Sequence, residues 1–494
     1  MDRSLVEGFI SIFGARVART IIAIITLPLI VRALGPGGYG DYGFLISTIS
    51  VVLIFVSSGV TEGAQKFAAE SRGPEWRQAI VGYYFRLATV LAVIGAVLLA
   101  LVTSTGIFGR VFDERFTLYF YLLAVYILTA QYQALSHRLL LAFGLERYSE
   151  PLNVAYKLIW VAVGLSLVVA GYGVAGMLVG HLIGMLIVAV VGFRIVFDRV
   201  PLGSIRRPIP DEFPTRQLRS FNSFNIVLVL LTTSLYHVDI LMLRTLIGSE
   251  QTGYYRAALS LAEYLWLVPI SLQALLLHST SALWSEQAYD RINDLSARIT
   301  RYTILFTGLL AIGIAALADP FVPLYFGEDF APAILPILWL LPGTIGFAAA
   351  RPIMAMSQAH GDLKPLVIAT GAAALINLVL NAALIPPYGM VGAAVATSIG
   401  YGSMFAFHAV TARYIGYDPL SDLRVGRIAA TTAVTAVVVF LLATLIQAPV
   451  VALVVVPATG AAVHLGSALL VGAVDASEVR DLLSWIPGPF PSSH

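Results

Sequence analysis

The 494-residue chain is 58% hydrophobic and 12% charged, with a formal net charge of +2. Soluble domains carry about 25% charged residues, so a water-soluble fold is excluded and the chain belongs in lipid. The charge balance makes no case for a nucleic-acid partner, and the lack of cysteine excludes disulfides and thiolate metal sites.

A membrane-spanning helix needs about 20 largely apolar residues. In chain order, fourteen such stretches are predicted, near 9–33, 40–61, 79–103, 116–141, 151–171, 174–197, 222–248, 253–278, 299–317, 331–357, 363–385, 390–414, 427–447 and 449–473. The expected fold is therefore an all-α integral membrane protein. The first stretch contains Arg16 and Arg19 and lacks a small-residue cleavage site, so it reads as a span and not as a cleaved signal. The longest connection, near 198–221, places Pro201, Pro208, Pro210 and Pro214 among five arginines. It reads as a positively charged inner linker, with a hinge or a seat for anionic head groups as the functional alternative. The tail after Asp475 ends in Pro487-Gly488-Pro489-Phe490-Pro491 and reads as a short polar terminus.

The stretches repeat. Gly171-Tyr172-Gly173-Val174-Ala175-Gly176, closing on Gly184, returns as Pro387-Tyr388-Gly389-Met390-Val391-Gly392, closing on Gly400. The turn from Gly144 to Pro151 returns from Gly361 to Pro365, and Arg32 to Gly40-Asp41-Tyr42 matches Arg244 to Gly253-Tyr254-Tyr255. The offset stays near 212–216 residues throughout. Spans 1–6 thus correspond to spans 7–12. Six is even, so both halves enter the membrane in the same direction, and their pseudo-twofold axis is expected along the membrane normal. The expected organisation is a first lobe at 1–200, a basic linker at 201–221, a second lobe at 222–415, and two further spans with a tail at 416–494. Internal repeats with a site between the halves mark many secondary transporters.

With the N-terminus inside, the inner loops hold nineteen lysines and arginines, Arg301 and Arg424 among them. The outer loops hold only Arg32, Arg110, Arg115, Arg244 and Arg256. This bias predicts that both termini are cytoplasmic.

Ionisable groups within spans cost roughly 2.5–3.5 kcal/mol on the insertion scale, and so usually face a cavity or a partner. Here they are Arg16, Arg19, Arg86, Lys157, His181, Asp239, Glu263 and Arg351, accompanied by Asn222, Asn225, Gln273, Asn377 and Asn381. Setting His181 aside, five cations face two anions, and none of these charges falls in the last two spans. A basic cavity would attract phosphate, whose oxygens arginine bonds in pairs. The bland readings stand beside this one. Arg86, Lys157 and Arg351 lie near span ends and can snorkel outward. His181 on an apolar span reads as a packing residue, and Asn377 and Asn381, four apart, can simply bond between helices. For Asp239 and Glu263, coupling to an ion competes with pairing to a structural arginine.

No Asp-x-Asp pair, His-Glu-x-x-His, Gly-x-Ser-x-Gly or phosphate-binding glycine loop is present, and no extramembrane domain. An enzyme is not expected, and no cofactor or metal is implied.

Arg32-Ala33-Leu34-Gly35-Pro36-Gly37-Gly38-Tyr39-Gly40-Asp41-Tyr42 closely resembles a signature of bacterial and archaeal oligosaccharide flippases. Asp239 to Gly248, followed by Gly253-Tyr254-Tyr255-Arg256-Ala257-Ala258, resembles the motif opening their second half. The segment from Asn377 through Asn381 and Pro386 to Thr397 is similar to their spans 11–12. The chain thus resembles the polysaccharide-transport branch of the multidrug/oligosaccharidyl-lipid/polysaccharide exporter superfamily. The Ser-Arg-x-x-Gly-x-x-Arg-Asp run of the lipid II flippase branch is missing from span 1. The resemblance implies two six-helix lobes around a V-shaped cavity. It also implies transfer of polyprenyl-(di)phosphate-linked oligosaccharide from the inner to the outer leaflet of the cell membrane. Substrate contacts are expected from Arg16, Arg19, Arg86, Lys157, Arg351, Asn225, Asn377 and Asn381, and coupling to H+ or Na+ from Asp239 and Glu263. Expected partners are membrane lipids and glycan polymerases or ligases. The rival readings are a drug or cation antiporter of the same fold, which would want an acidic cavity, and a membrane glycan polymerase, which would want an outer catalytic loop.

Overall fold

A computed structural model describes residues 3–70, 72–206 and 215–478. Side chains of 3–17, 58, 215–228, 232, 274 and 278 fall outside that description, as do residues 207–214 of the basic linker and the tail beyond 478. All regular structure among the described residues is helical.

The chain opens with α1 (Arg3–Leu53), a run of 51 residues. At 1.5 Å per residue it would extend about 75 Å, more than twice the roughly 30 Å of a bilayer core. It turns instead at Gly35, whose φ of 65° a side chain would strain, directly before Pro36. A π-helical turn leads into α2 (Gly59–Ala68). Then follow α3 (Pro74–Ser104), the short α4 (Ile107–Val111), α5 (Arg115–Ala142), α6 (Glu146–Leu167) and α7 (Gly173–Phe197). Beyond the linker come α8 (Thr215–Leu246), α9 (Ser249–Tyr264), α10 (Leu267–Ser285), α11 (Tyr289–Phe326) and α12 (Ile334–His360). The chain closes with α13 (Lys364–Ile415), α14 (Val425–Leu445) and α15 (Pro449–Val471).

Among the described residues, ten helical segments are long and apolar enough to cross a membrane. Segments 18–57, 146–197 and 364–415 are 40 to 52 residues long, and each covers two of the predicted stretches. The protein is a multi-pass membrane protein. Along α3, Val93, Ile94, Val97, Leu98 and Leu101 are exposed, as a lipid-facing stripe requires.

The repeat is written into the backbone. Gly173 opens α7 with φ 49° and ψ −131°, and its counterpart Gly389, inside α13, has φ 56° and ψ −133°. Only glycine adopts this conformation without strain. The same corner therefore joins spans 5–6 and spans 11–12, just after Gly171 in one half and Pro387 in the other.

Contacts divide the chain into two compact units, Met1–Arg256 and Ala257–His494. In the first, α7 packs between α5 and α6, α3 lies against α5, and α1 touches both α6 and α8. Its interior includes Leu45, Ile49, Phe116, Leu123, Ile127 and Leu178, with a second cluster around Phe67, Tyr84, Leu135 and Leu139. In the second, α12 packs on α10, α11 and α13, and α14 and α15 lie against α11. The repeat assigns span 7 to the second lobe, whereas α8, which carries span 7, packs on α1 and α2 of the first unit. Repeat order and packing partner are different properties, and here they divide the chain at different places.

Candidate functional site

The charges singled out in the spans lie in both units. In the first, Arg19 of α1 reaches Glu150 at the start of α6, with 3.3 Å between Nη1 and Oε2. Glu150 is almost wholly buried, so the guanidinium offsets a charge removed from water. Arg16 and Asn225 lie on α1 and α8, their side chains outside the described residues. Arg86 is half-buried on α3.

Lys157 lies midway along α6, with its ammonium 4.5 Å from the Trp160 ring centre. That ring stacks on His181 of α7 at 4.2 Å and 12°. Both imidazole nitrogens are engaged. Tyr42 Oη lies 2.7 Å from Nε2 and Tyr156 Oη 2.6 Å from Nδ1. Tyr126 of α5 packs 5.7 Å from the same ring. His181 is thus hydrogen-bonded, as a packing residue should be, by Tyr42 and Tyr156, with Trp160 and Tyr126 packed on its ring.

Asp239 of α8 is fully buried. Its Oδ1 accepts the Ile240 amide at 2.7 Å, and its Oδ2 accepts a short bond from the Tyr255 hydroxyl of α9. Its neighbour His237 places Nδ1 3.0 Å from Ser47 Oγ on α1. The structural arginine considered as its rival goes elsewhere: Arg244 pairs with Asp41 at 2.6 Å and covers the Phe112 and Phe116 rings. Asp41 also lines a cavity of about 500 Å³ with Asp113, Arg115, Tyr119 and Ser249. Both signs of charge meet there, so this cavity is not the basic one that the sequence suggested.

In the second unit, Arg351 of α12 is 8% exposed. Its Nη1 donates to Gln273 Oε1 of α10 at 3.2 Å, and its guanidinium lies 4.2 Å from the Phe347 ring centre. Phe347 packs in turn against Trp266 and Tyr401. Glu263 is half-buried on α9. Asn377 donates to Thr397 Oγ1 at 3.3 Å across the two arms of α13, an interhelical bond of the kind expected in lipid. Asn381 is buried one turn further on. Among the described residues, no cluster of three or more His, Asp or Glu side chains could hold a metal ion.

A family described as polysaccharide biosynthesis protein matches residues 5–272, more than half of the chain. The chain belongs to this family. The matched residues contain Arg16, Arg19, Arg86, Lys157, Asn225, Asp239 and Glu263, while Arg351, Asn377 and Asn381 lie beyond them. Among curated proteins it is similar to the "Probable low-salt glycan biosynthesis flippase Agl15" of Haloferax volcanii. That relative is 21% identical over 417 residues, or 83% of each chain. Among solved structures it resembles the lipid II flippase MurJ in an inward closed conformation, with a TM-score of 0.74 and 14% identity over 97% of this chain and 100% of that one. It also resembles an inward-facing multidrug resistance transporter of the MATE family, with a TM-score of 0.67 and 15% identity over 80% of this chain and 95% of that one. At such identities the structural matches establish the shared fold.

Proposed function

We propose that the protein carries a polyprenyl-(di)phosphate-linked oligosaccharide from the cytoplasmic to the outer leaflet of the cell membrane, for cell-surface polysaccharide or glycoprotein assembly. The observation that carries this reading is the family match over residues 5–272, joined to a curated relative named as a glycan biosynthesis flippase along 83% of both chains. The buried chemistry favours it over the antiporter alternative. Arg351 is a desolvated cation and Lys157 a half-buried one, and such groups suit a diphosphate better than a cationic drug.

In this mechanism the protein forms no covalent bond to its cargo and acts as a carrier, not an enzyme. The head group enters a water-filled basic cavity while the polyprenyl tail stays in lipid, and alternating access exposes the glycan outside. Arg16, Arg19, Arg86, Lys157 and Arg351 hold the anionic group, with Asn225, Asn377 and Asn381 offering amides. Asp239 or Glu263 couples the cycle to H+ or Na+. Both termini lie in the cytoplasm, and a glycan polymerase or ligase receives the product.

The test is reconstitution with lipid-linked oligosaccharide from the host and an added glycosidase that reports the exposed leaflet. Wild type should redistribute the glycan, Arg16→Ala and Arg351→Ala should each slow it at least about tenfold, the effect of roughly 1.4 kcal/mol of lost binding, and Asp239→Ala should slow it through lost ion coupling. Redistribution unchanged by all three substitutions would refute the residue assignments while keeping the activity.

A further inference from the structure

His181 has a partner on each ring nitrogen, and both partners are hydroxyls. A neutral imidazole has one N–H donor and one bare acceptor nitrogen, whereas an imidazolium has two donors. A tyrosine hydroxyl can donate or accept, so Tyr42 and Tyr156 satisfy either form of His181 by rotating one O–H bond. No heavy atom need move. Carboxylates or amide nitrogens in the same places would commit the ring to one form. Tyr156 is hydrogen-bonded in turn to Tyr126. The result is a continuous chain of exchangeable protons, Tyr126–Tyr156–His181–Tyr42, linking α5, α6, α7 and α1.

The repeat shows that packing alone does not call for a titratable group here. Gly184 of α7 packs against Trp160 of α6, and its counterpart Gly400 packs against Asn377 in the second half. Gly176 lies against Leu167 and Gly392 against Leu384, so the paired arms are offset by 217 residues in α6 and 216 in α7, and Trp160 corresponds to Asn377 and His181 to Thr397. The Trp160–His181 stack in one half is therefore the Asn377–Thr397 hydrogen bond in the other. One helical crossing is filled by a neutral amide–hydroxyl pair in the second half and by an imidazole wired to three tyrosines in the first.

From this asymmetry we infer that His181 is a proton-binding site confined to the first half of the carrier. A proton reaches the bare ring nitrogen through a tyrosine hydroxyl, which gives up its own proton to the ring and takes another from the water side. The ring gains one N–H bond and one positive charge, and release reverses each step. The groups facing His181 are Tyr42 on α1, Tyr126 on α5, and Tyr156, Trp160 and Lys157 on α6, with Tyr39 of α1 behind Tyr42. His237 of α8 and Arg256 of α9 lie further out, Arg256 beside Tyr42. Lys157 gives the site its logic. Its ammonium shares the Trp160 ring with His181, so the two cations repel, and an anion held by Lys157 relieves that repulsion. If the proposed function is right, a lipid diphosphate on Lys157 and a proton on His181 favour one another, which couples substrate loading to proton uptake.

Trp160 supplies a direct reading, because an imidazolium stacked on an indole quenches its fluorescence. The signal is the emission of the purified protein in nanodiscs minus that of Trp160→Phe, followed as the pH falls from about 8 towards 3, across and below the ordinary histidine range. Wild type should lose Trp160 emission reversibly, and His181→Gln should abolish the loss. Lys157→Gln should move the loss to higher pH by about one unit, as removal of a neighbouring like charge does. A short-chain prenyl diphosphate should produce the same displacement in wild type but not in Lys157→Gln. Tyr42→Phe, which keeps the ring packing, controls for folding and should weaken the response without eliminating Trp160 emission. A Trp160 signal that ignores pH until the protein unfolds, or a pH response that survives in His181→Gln, would overturn the proton site. Wild type that flips lipid-linked oligosaccharide while giving either result would leave the proposed function standing. A proton response displaced by no diphosphate would keep the proton site and remove its link to substrate.

Discussion

Two glycines related by the repeat make the closest backbone approach in the first unit, and their replacement has a calculable result. A Cβ on Gly40 would lie 1.8 Å from the Ser249 carbonyl oxygen, and one on Gly253 would lie 1.9 Å from the Pro36 carbonyl oxygen. Carbon and carbonyl oxygen ordinarily approach to about 3.3 Å. Either alanine must therefore force the α1 backbone and the first turn of α9 apart by roughly 1.5 Å. Overpacking of this kind costs about 1–3 kcal/mol, and the better helix propensity of alanine offsets up to about 1 kcal/mol. Gly40→Ala and Gly253→Ala should each lower stability by about 1–2 kcal/mol. One separation relieves both clashes, so the double variant should lose less than the sum, with about 1 kcal/mol of coupling. Gly308 of α11 is the control: no atom lies within 4 Å of its added Cβ. Gly308→Ala should leave stability unchanged or raise it. Unfolding of the four variants in one mild detergent gives all these quantities. Gly40→Ala as stable as wild type, or strictly additive effects in the double variant, would refute the two-sided contact.

Arg301 of α11 is fully buried, bonded to Asp422 between α13 and α14 and to Glu478 beyond α15. Arg301→Met should destabilise the protein by about 3–5 kcal/mol, because Glu478 is left mostly buried without its cation; a Tm within error of wild type would contradict this. Arg301→Lys should rescue only part of that loss, since an ammonium cannot span both carboxylates. Burial works to raise the Asp422 carboxyl, but hydrogen bonds from Arg424 and Arg301 hold it below its ordinary value. Asp475 is held down by its hydrogen bond from Arg424. A lowered carboxylate stabilises the fold above its unfolded value and loses that contribution as the pH falls through the folded one. Tm should therefore stay flat from neutral pH to about pH 5 and drop below about pH 4. Asp422→Asn should shrink the acid-side drop, and an unchanged profile would show that the cluster does not contribute. Asp239→Asn should leave folding intact, since the amide oxygen can keep the Ile240 N–H and the Tyr255 hydroxyl can turn to accept from the amide NH2. It should remove the dependence of flipping on an imposed ion gradient, which parallel rates with and without the gradient would test.

The fold was largely legible because lipid makes strong demands on sequence. Long apolar stretches and a repeated glycine corner are local signals, and Gly173 and Gly389 carry the same backbone conformation. Partners were less legible, because an ion pair joins residues far apart in sequence. Glu150 stands one residue before the predicted fifth stretch and so outside the intramembrane charges, yet it pairs with Arg19. Arg301 falls by sequence among the inner-loop cations and is the largest fully buried side chain among the described residues. Asp41 belongs to a sequence motif that gives no sign of its pairing with Arg244. Tyr42, Tyr156 and Trp160 look like ordinary apolar filling in a span. Only the packing of α1 and α6 on α7 brings them round His181.

The most direct measurement is a side-by-side transport experiment on the purified protein alone in sealed vesicles. One set carries lipid-linked oligosaccharide, assayed by glycosidase access. The other is loaded with a cationic dye, assayed by its movement across the same membrane. The protein should render the oligosaccharide accessible at a rate proportional to its copy number and leave the dye where it was loaded. Dye movement without oligosaccharide redistribution would contradict the flippase reading and establish the antiporter instead.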